Sequence, residues 1–245
     1  SIDASTGVLR FVSAPDHDVA GDADANNVYE LMLAANDGAG GSGLQAVTVT
    51  VTNVNEAPSF VSVPSGAATE DQLYSVTIAA TDPDSGAVLA ITATGLPAWL
   101  TLTDNGNGTA TLSGTPGNGD TGSVNLTLQV SDGSLSATQA LTVNVAAVND
   151  APVITSAAAF TIPENTTAVG TVTSTDVDGG APTYAITGGA DAAKFSINAS
   201  TGALRFIAAP DHDVAGDAGA NNIYDVTVSA SDGAGGTATQ AISVT

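Results

Sequence analysis

IYDVTVSASDG, residues 223–233, alternates without a break. Tyr224, Val226, Val228 and Ala230 fall on one side, and Asp225, Thr227, Ser229 and Ser231 on the other. A period of two is that of a strand with one buried face, and the closing Asp-Gly is a turn. SVNLTLQVSDG, residues 123–133, repeats the pattern through Val124, Leu126, Leu128 and Val130. Turn residues separate such runs about every eight to twelve positions, which reads as an all-β chain of antiparallel sandwiches of about seven strands each. Tyr29 and Tyr224 open equivalent strands, with rings in the core and hydroxyls free to meet nearby backbone. Trp99 in LPAWLTL is expected to anchor a core.

The stretch around residue 223 is the second of two copies. SIDASTGVLRFVSAPDHDVAGDADANNVYE, residues 1–30, lies over SINASTGALRFIAAPDHDVAGDAGANNIYD, residues 196–225, at an offset of 195. Residues 1–50 and 196–245 align without a gap and are about two-thirds identical. Repetition at a fixed period marks a modular array, so the chain is expected to be an elongated piece of a longer repetitive protein. NVNEAP (53–58) and VNDAP (148–152) divide the period, each following an alternating run. Proline after a strand ends its ladder. The expected boundaries lie near Glu56 and Asp150, giving the C-terminal half of a module (1–57), a complete module (58–150) and a nearly complete one (151–245).

Of 245 residues, 25 are acidic and 3 are Lys or Arg, a net charge of −22. No basic patch can form, which excludes nucleic acid and anionic membrane as partners and favours a divalent cation. There is no cysteine, hence neither disulfide nor thiolate metal site. No apolar run is long enough to span a membrane, and SIDASTG is not a signal peptide. Only 11% of residues are charged, too few for a disordered acidic tail.

The acids gather at strand ends. They are Glu164 in PEN, Asp176 and Asp178 in TDVDGG, Asp211 and Asp213 in PDHD, and Asp232 in SDG. The middle module has Glu70 in TED, Asp82 and Asp84 in TDPDSG, and Asp132 in SDG; the half-module has Asp16, Asp18 and Asp37. In an extended D-x-D both carboxylates project to the same side. Calcium takes about six to eight hard oxygens, and a D-x-D plus an acid from another loop begins such a shell. Close carboxylates cannot all stay ionised without a cation. Asp-Gly also serves turns, so Asp37, Asp132 and Asp232 have a plain conformational reading as well. Asp22, Asp24 and Asp217 read as solvated loop. His17 and His212 each sit between two aspartates, and in an extended segment their rings point away from them. Neither loop has the nitrogen ligands that zinc favours. DSG (84–86) and DTG (120–122) lack the apolar strand that precedes a protease aspartate, and NDGAGGSG and SDGAGG are hairpins rather than phosphate cradles.

PEN, D-x-D, the S-D-G strand end and the N-D-A-P linker together resemble the calcium motifs of cadherin repeats. The first and third modules resemble bacterial cadherin-like repeats of large surface adhesins. The middle one, with TEDQLYSVTIAATDPDSG, PAWLTL and TLSGTPGNGDTGS, resembles the dystroglycan-type cadherin-like variant. The resemblance implies calcium between consecutive modules. Carried over, the first joint would use Asp16, Asp18, Asn53, Asn55 and Glu56 with Asp82, Asp84 and Asp132. The second would use Glu70, Asn149 and Asp150 with Asp176, Asp178 and Asp232. Glu164, Asp211 and Asp213 would face a further downstream module, and Asp37 an upstream one. Three departures matter: the D-x-E loop is D-x-D with a shorter second acid; the linkers NVNEAP and AVNDAP are abbreviated, Ala147 removing an acid in the second joint; and the middle module lacks the loop altogether, Asp120 being the candidate substitute. A poorer second joint follows.

The resemblance implies a calcium-rigidified extracellular stalk or adhesin segment of a large bacterial surface or matrix protein, secreted or displayed, whose partners are neighbouring modules and not an enzyme's substrates. The alternative is a recognition module that binds another copy of itself, in a filament through donated strands, or a glycan. Aromatics at 4% of the chain speak against a lectin.

Overall fold

A computed structural model describes residues 1–62 and 64–245. The chain is all-β, with two single-turn 3-10 segments at Asn118–Asp120 and Ala192–Lys194. It divides into two compact units: Ser1–Ala68, Gln72–Pro116 and Gly122–Val145 form one, and Thr69–Asp71, Gly117–Thr121 and Ala146–Thr245 the other. No helix among the described residues is long and apolar enough to cross a membrane.

In the first unit, β1 (Val28–Asn36) and β2 (Ser42–Thr50) form an antiparallel hairpin. Next come β3 (Ser59–Phe60), β4 (Ala67–Thr69), β5 (Tyr74–Thr81), β6 (Ala90–Thr94), β7 (Leu100–Asp104), β8 (Thr109–Gly114), β9 (Gly122–Ser131) and β10 (Ser136–Ala146). They make two four-stranded sheets, ordered β4-β10-β9-β6 and β3-β5-β8-β7. Leu126, Leu128 and Val130 of β9 are buried, with Ile78, Ile91, Leu112 and Val143 around them. The alternation of 123–133 is thus the alternation of a sheet face. Trp99 packs against this core, edge-on to Tyr74 at 6.4 Å.

The second unit continues with β11 (Val153–Ile154), β12 (Ala159–Phe160), β13 (Ala168–Thr171), β14 (Ser174–Thr175), β15 (Thr183–Gly188), β16 (Phe195–Ile197), β17 (Ala203–Phe206), β18 (Tyr224–Ser231) and β19 (Thr237–Val244). Its largest sheet is β12-β19-β18-β15, in which β12 joins β19 in parallel and β18 pairs antiparallel on both edges. Tyr224, Val226, Val228 and Ala230 of β18 are buried, as the alternation requires.

The two sequence copies share local structure and differ in cover. Phe11 and Tyr29 meet edge-on at 5.0 Å, and Phe206 and Tyr224 at 4.9 Å. The Gly21 N–H donates to the Tyr29 hydroxyl, and that of Gly216 to the Tyr224 hydroxyl, each at 3.2 Å. In the second copy β12 and β15 flank the hairpin, and Leu204 and Phe206 are 1% and 4% exposed. In the first copy the hairpin pairs with no further strand among the described residues, and Leu9 and Phe11 are 36% and 41% exposed. A cavity of about 750 Å³ opens there, lined by Leu9, Phe11, Val12, Val19, Tyr29 and Leu31 among others.

Candidate metal centres

Four of the five D-x-D sequences, those at 16–18, 82–84, 176–178 and 211–213, are not extended. In each, the first aspartate's Oδ1 accepts the backbone N–H of the second: Asp16 from Asp18 at 3.0 Å, Asp82 from Asp84 at 2.9 Å, Asp176 from Asp178 at 2.9 Å, Asp211 from Asp213 at 3.0 Å. Strand β5 stops at Thr81 and β14 at Thr175. Beyond them the short side chain competes with the sheet for the backbone donor and folds a turn. The extended reading is corrected, and with it the histidine placement. His17 Nδ1 lies 3.8 Å from Asp18 Oδ1, because a bent segment does not send alternate side chains to opposite sides. The turn leaves the first aspartate's other oxygen free. Asp82 Oδ2 and Asp176 Oδ2 are both buried without a hydrogen-bond partner among the described residues.

In the first unit the linker closes on this turn. The Glu56 N–H donates to Asp84 Oδ2 at 2.9 Å, the Asn53 amide to Asp84 Oδ1 at 2.5 Å, and the Asn55 amide to Asp132 Oδ2 at 2.8 Å. Carboxylate oxygens of Asp18, Glu56 and Asp84 lie within 4.8 Å of one another. Partial loss of solvent, then the charges of Asp84 and Asp18, push the Glu56 carboxyl above its ordinary value. Asp84 is held below its ordinary value by the Asn53 amide and the Glu56 N–H. Asp132 is lowered by the N–H groups of Leu135 and Ser134 and by Asn55.

The second unit repeats two of these linker bonds, with Ala147 standing where Asn53 donates in the first. The Asp150 N–H donates to Asp178 Oδ2 at 2.6 Å and the Asn149 amide to Asp232 Oδ2 at 2.7 Å. Asn55 and Asn149 also each donate to the carbonyl of the following residue at 3.1 Å. Asp232 is held below its ordinary value, chiefly by Asn149. Two short segments, 69–71 and 117–121, belong to this unit. The first carries Glu70, fully buried, whose Oε2 accepts the Val148 N–H at 3.0 Å while Oε1 has no partner among the described residues. The second carries Asn118, whose amide donates to Asp150 Oδ2. Asp120 turns instead to the Gly117 N–H at 3.0 Å. A search for acids passes over Asn118, although its amide oxygen is the same kind of hard donor.

The turn and site readings of Asp132 and Asp232 coexist. Asp132 Oδ1 takes the N–H groups of Ser134 and Leu135, Asp232 Oδ1 those of Ala234, Gly235 and Gly236, and each Oδ2 meets a linker asparagine. Asp37 has the turn bonds alone, from Ala39 and Gly41. Glu164 accepts the His212 N–H at 2.9 Å, which places it on the turn of Asp211 and Asp213. Asp22 and Asp217 close their own loops, taking the N–H groups of Asn26 and Asn27 and of Asn221 and Asn222.

The residues fit a hard divalent cation. Each constellation holds several carboxylates, side-chain amides whose N–H groups face them, and a buried carboxylate oxygen without a partner among the described residues; three carboxylates within 4.8 Å of one another occur among the described residues in the first group alone. The one ion pair among the described residues is His17 with Asp18, so no Lys or Arg neutralises either group.

Residues 57–146 match the family model described as "Putative Ig domain", and residues 149–245 the one described as "Bacterial Ig domain". Neither describes an enzyme. No curated protein matches. Among solved structures, protocadherin gammaB7 EC3-6 is 23% identical over 91% of this chain and 59% of its own, with a TM-score of 0.57. Human CDH23 EC21-23 is 22% identical over 89% and 74%, TM-score 0.56. Mouse protocadherin-24 EC1-3 is 17% identical over 100% and 85%, TM-score 0.52. The chain spans 59% and 57% of the protocadherin gammaB7 and gamma B2 chains it matches. At these identities the likeness is one of fold.

Proposed function

We propose that this chain is a segment of an extracellular stalk or adhesin, a run of cadherin-like modules stiffened by calcium at its linkers. One observation carries the reading. The same constellation occurs twice, linker asparagine on late aspartate and linker acid on D-x-D, with the first D-x-D oxygen buried and unpartnered both times. The first group would bind through Asp16, Asp18, Glu56, Asp82, Asp84 and Asp132, with Asn53 and Asn55. The second would bind through Glu70, Asp150, Asp176, Asp178 and Asp232, with Asn149. Glu164, Asp211 and Asp213 form a further half-shell, and Asp37 the turn of another. A cation held by residues on both sides of a linker fixes the linker's backbone angles. It also offsets repulsion within a chain of charge −22. Secretion or surface display supplies the calcium, and the work is mechanical rather than catalytic. Calorimetric titration of the chelator-stripped chain should give saturable calcium binding and, in small-angle scattering, a stiffer particle. Absence of binding heat and an unchanged profile would remove the reading.

A second reading, contact with another copy, is favoured by the bare face of residues 1–50. Strands donated from another copy's third module would uncover as much surface as they covered. Pairing two bare faces about a twofold axis covers both. Sedimentation of the 245-residue chain should show a concentration-dependent dimer, lost on Val12→Asp and Val19→Asp, positions 90% and 72% exposed. A monomer at every concentration would discard this reading.

A further inference from the structure

We infer that Asn118 occupies in the second constellation the place Asp18 occupies in the first, and that this one neutral ligand sets the second site's calcium affinity below the first's. The inference rests on the calcium reading above. Glu56 and Asp150 are equivalent: each follows a linker asparagine, and each N–H binds the second aspartate of a D-x-D. In the first group the acids beside Glu56 are Asp84, matched by Asp178 in the second, and Asp18. In the second the side chain on Asp150 is Asn118, and the nearby Asp120 is engaged in its own turn. Asn118 is tied to a ligand set through Asp150, whose N–H binds Asp178, and two residues before Asp150 the Val148 N–H binds Glu70, which is fully buried with Oε1 unpartnered among the described residues, as is Asp176 Oδ2.

An amide differs from a carboxylate in two ways. It carries no charge, and calcium affinity is tuned by the charge of the ligand set. It also has a donor side, and here the N–H faces Asp150. Without a cation, Asn118 therefore satisfies a carboxylate that Asp18 would repel. With a cation, the amide must turn its oxygen inward and give up that bond. Both effects lower affinity, and both make the ion-free second site more comfortable than the ion-free first.

The test titrates the full chain with calcium as wild type, Asn118→Asp, Asn118→Ala and Asp18→Asn, with Asp178→Ala to identify the second site's heat. Asn118→Asp should tighten the second site about tenfold and Asn118→Ala should weaken it. Asp18→Asn should loosen the first site only. In chelator, Asn118→Asp should melt lower than wild type, through repulsion with Asp150. Calcium binding that is indifferent to both Asn118 variants would overturn this inference and leave the function standing. No calcium binding to the parent would overturn the function itself.

Discussion

Calcium at about a hundredfold excess over its dissociation constant is expected to raise the melting temperature of each module that borders a constellation by about 10–20 °C relative to chelator. Binding to the folded state alone contributes about 2.7 kcal/mol per site at that excess, and a module of this size shifts by about 4–8 °C per kcal/mol. Screening by any salt would also relieve a charge of −22, so the comparison holds ionic strength constant with potassium chloride. Magnesium, which keeps its waters and demands a tighter octahedron, should give a smaller shift. The effect should also fade in acid, since ligands must be deprotonated. Glu56, with its raised value, takes up a proton first as pH falls, whereas Asp84, Asp132 and Asp232 stay ionised below their ordinary values. In chelator the signs separate. Stability tied to Glu56 declines as pH rises through its raised value, because the folded state holds a proton the unfolded state has released. Stability tied to Asp84, Asp132 and Asp232 is present above the ordinary aspartate value and is lost as pH falls through their lowered ones. Coincident melts in calcium and chelator would defeat the calcium reading.

What the sequence made legible was local and periodic. The alternation of Tyr224, Val226, Val228 and Ala230 is a buried face because every second residue of a strand shares a side. What escaped it depended on distant partners or on competition within a turn. Leu9 and Leu204 stand in nearly the same sequence, GVLRF and GALRF, yet only Leu204 belongs to a module with flanking strands at 159–160 and 183–188. Asp37 and Asp232 make the same turn, yet only Asp232 has a linker asparagine against it. The D-x-D turns defeat strand geometry because an aspartate oxygen two residues back outbids the sheet for one N–H. That bond also frees the oxygen a cation would take, so the error in conformation left the proposed chemistry intact. Asn118 went unseen for a different reason: an oxygen ligand need not be an acid.

Glu70→Gln should change sign with calcium, and this separates a ligand from a merely structural glutamate. Glu70 directly follows strand β4, its N–H on the Ala146 carbonyl and its Oε2 on the Val148 N–H, so it fastens this turn to the segment 146–148. An isosteric amide keeps the acceptor that Val148 needs. In chelator, the parent buries a carboxylate with one oxygen unpartnered, which is costly. The amide removes that charge, so the variant should melt no lower than the parent and by a few degrees higher. In calcium the same change deletes a charged ligand from a buried charge pair, a loss of about 3 kcal/mol, and the variant should melt about 12–24 °C below the parent. Glu70→Ala is the control: it leaves the Val148 N–H without its partner and should lower the melt in both conditions. If Glu70→Gln instead lowered the melt equally with and without calcium, Glu70 would be a turn fastener and no part of a cation shell. The second constellation would then have to bind through its four aspartates with Asn118 and Asn149.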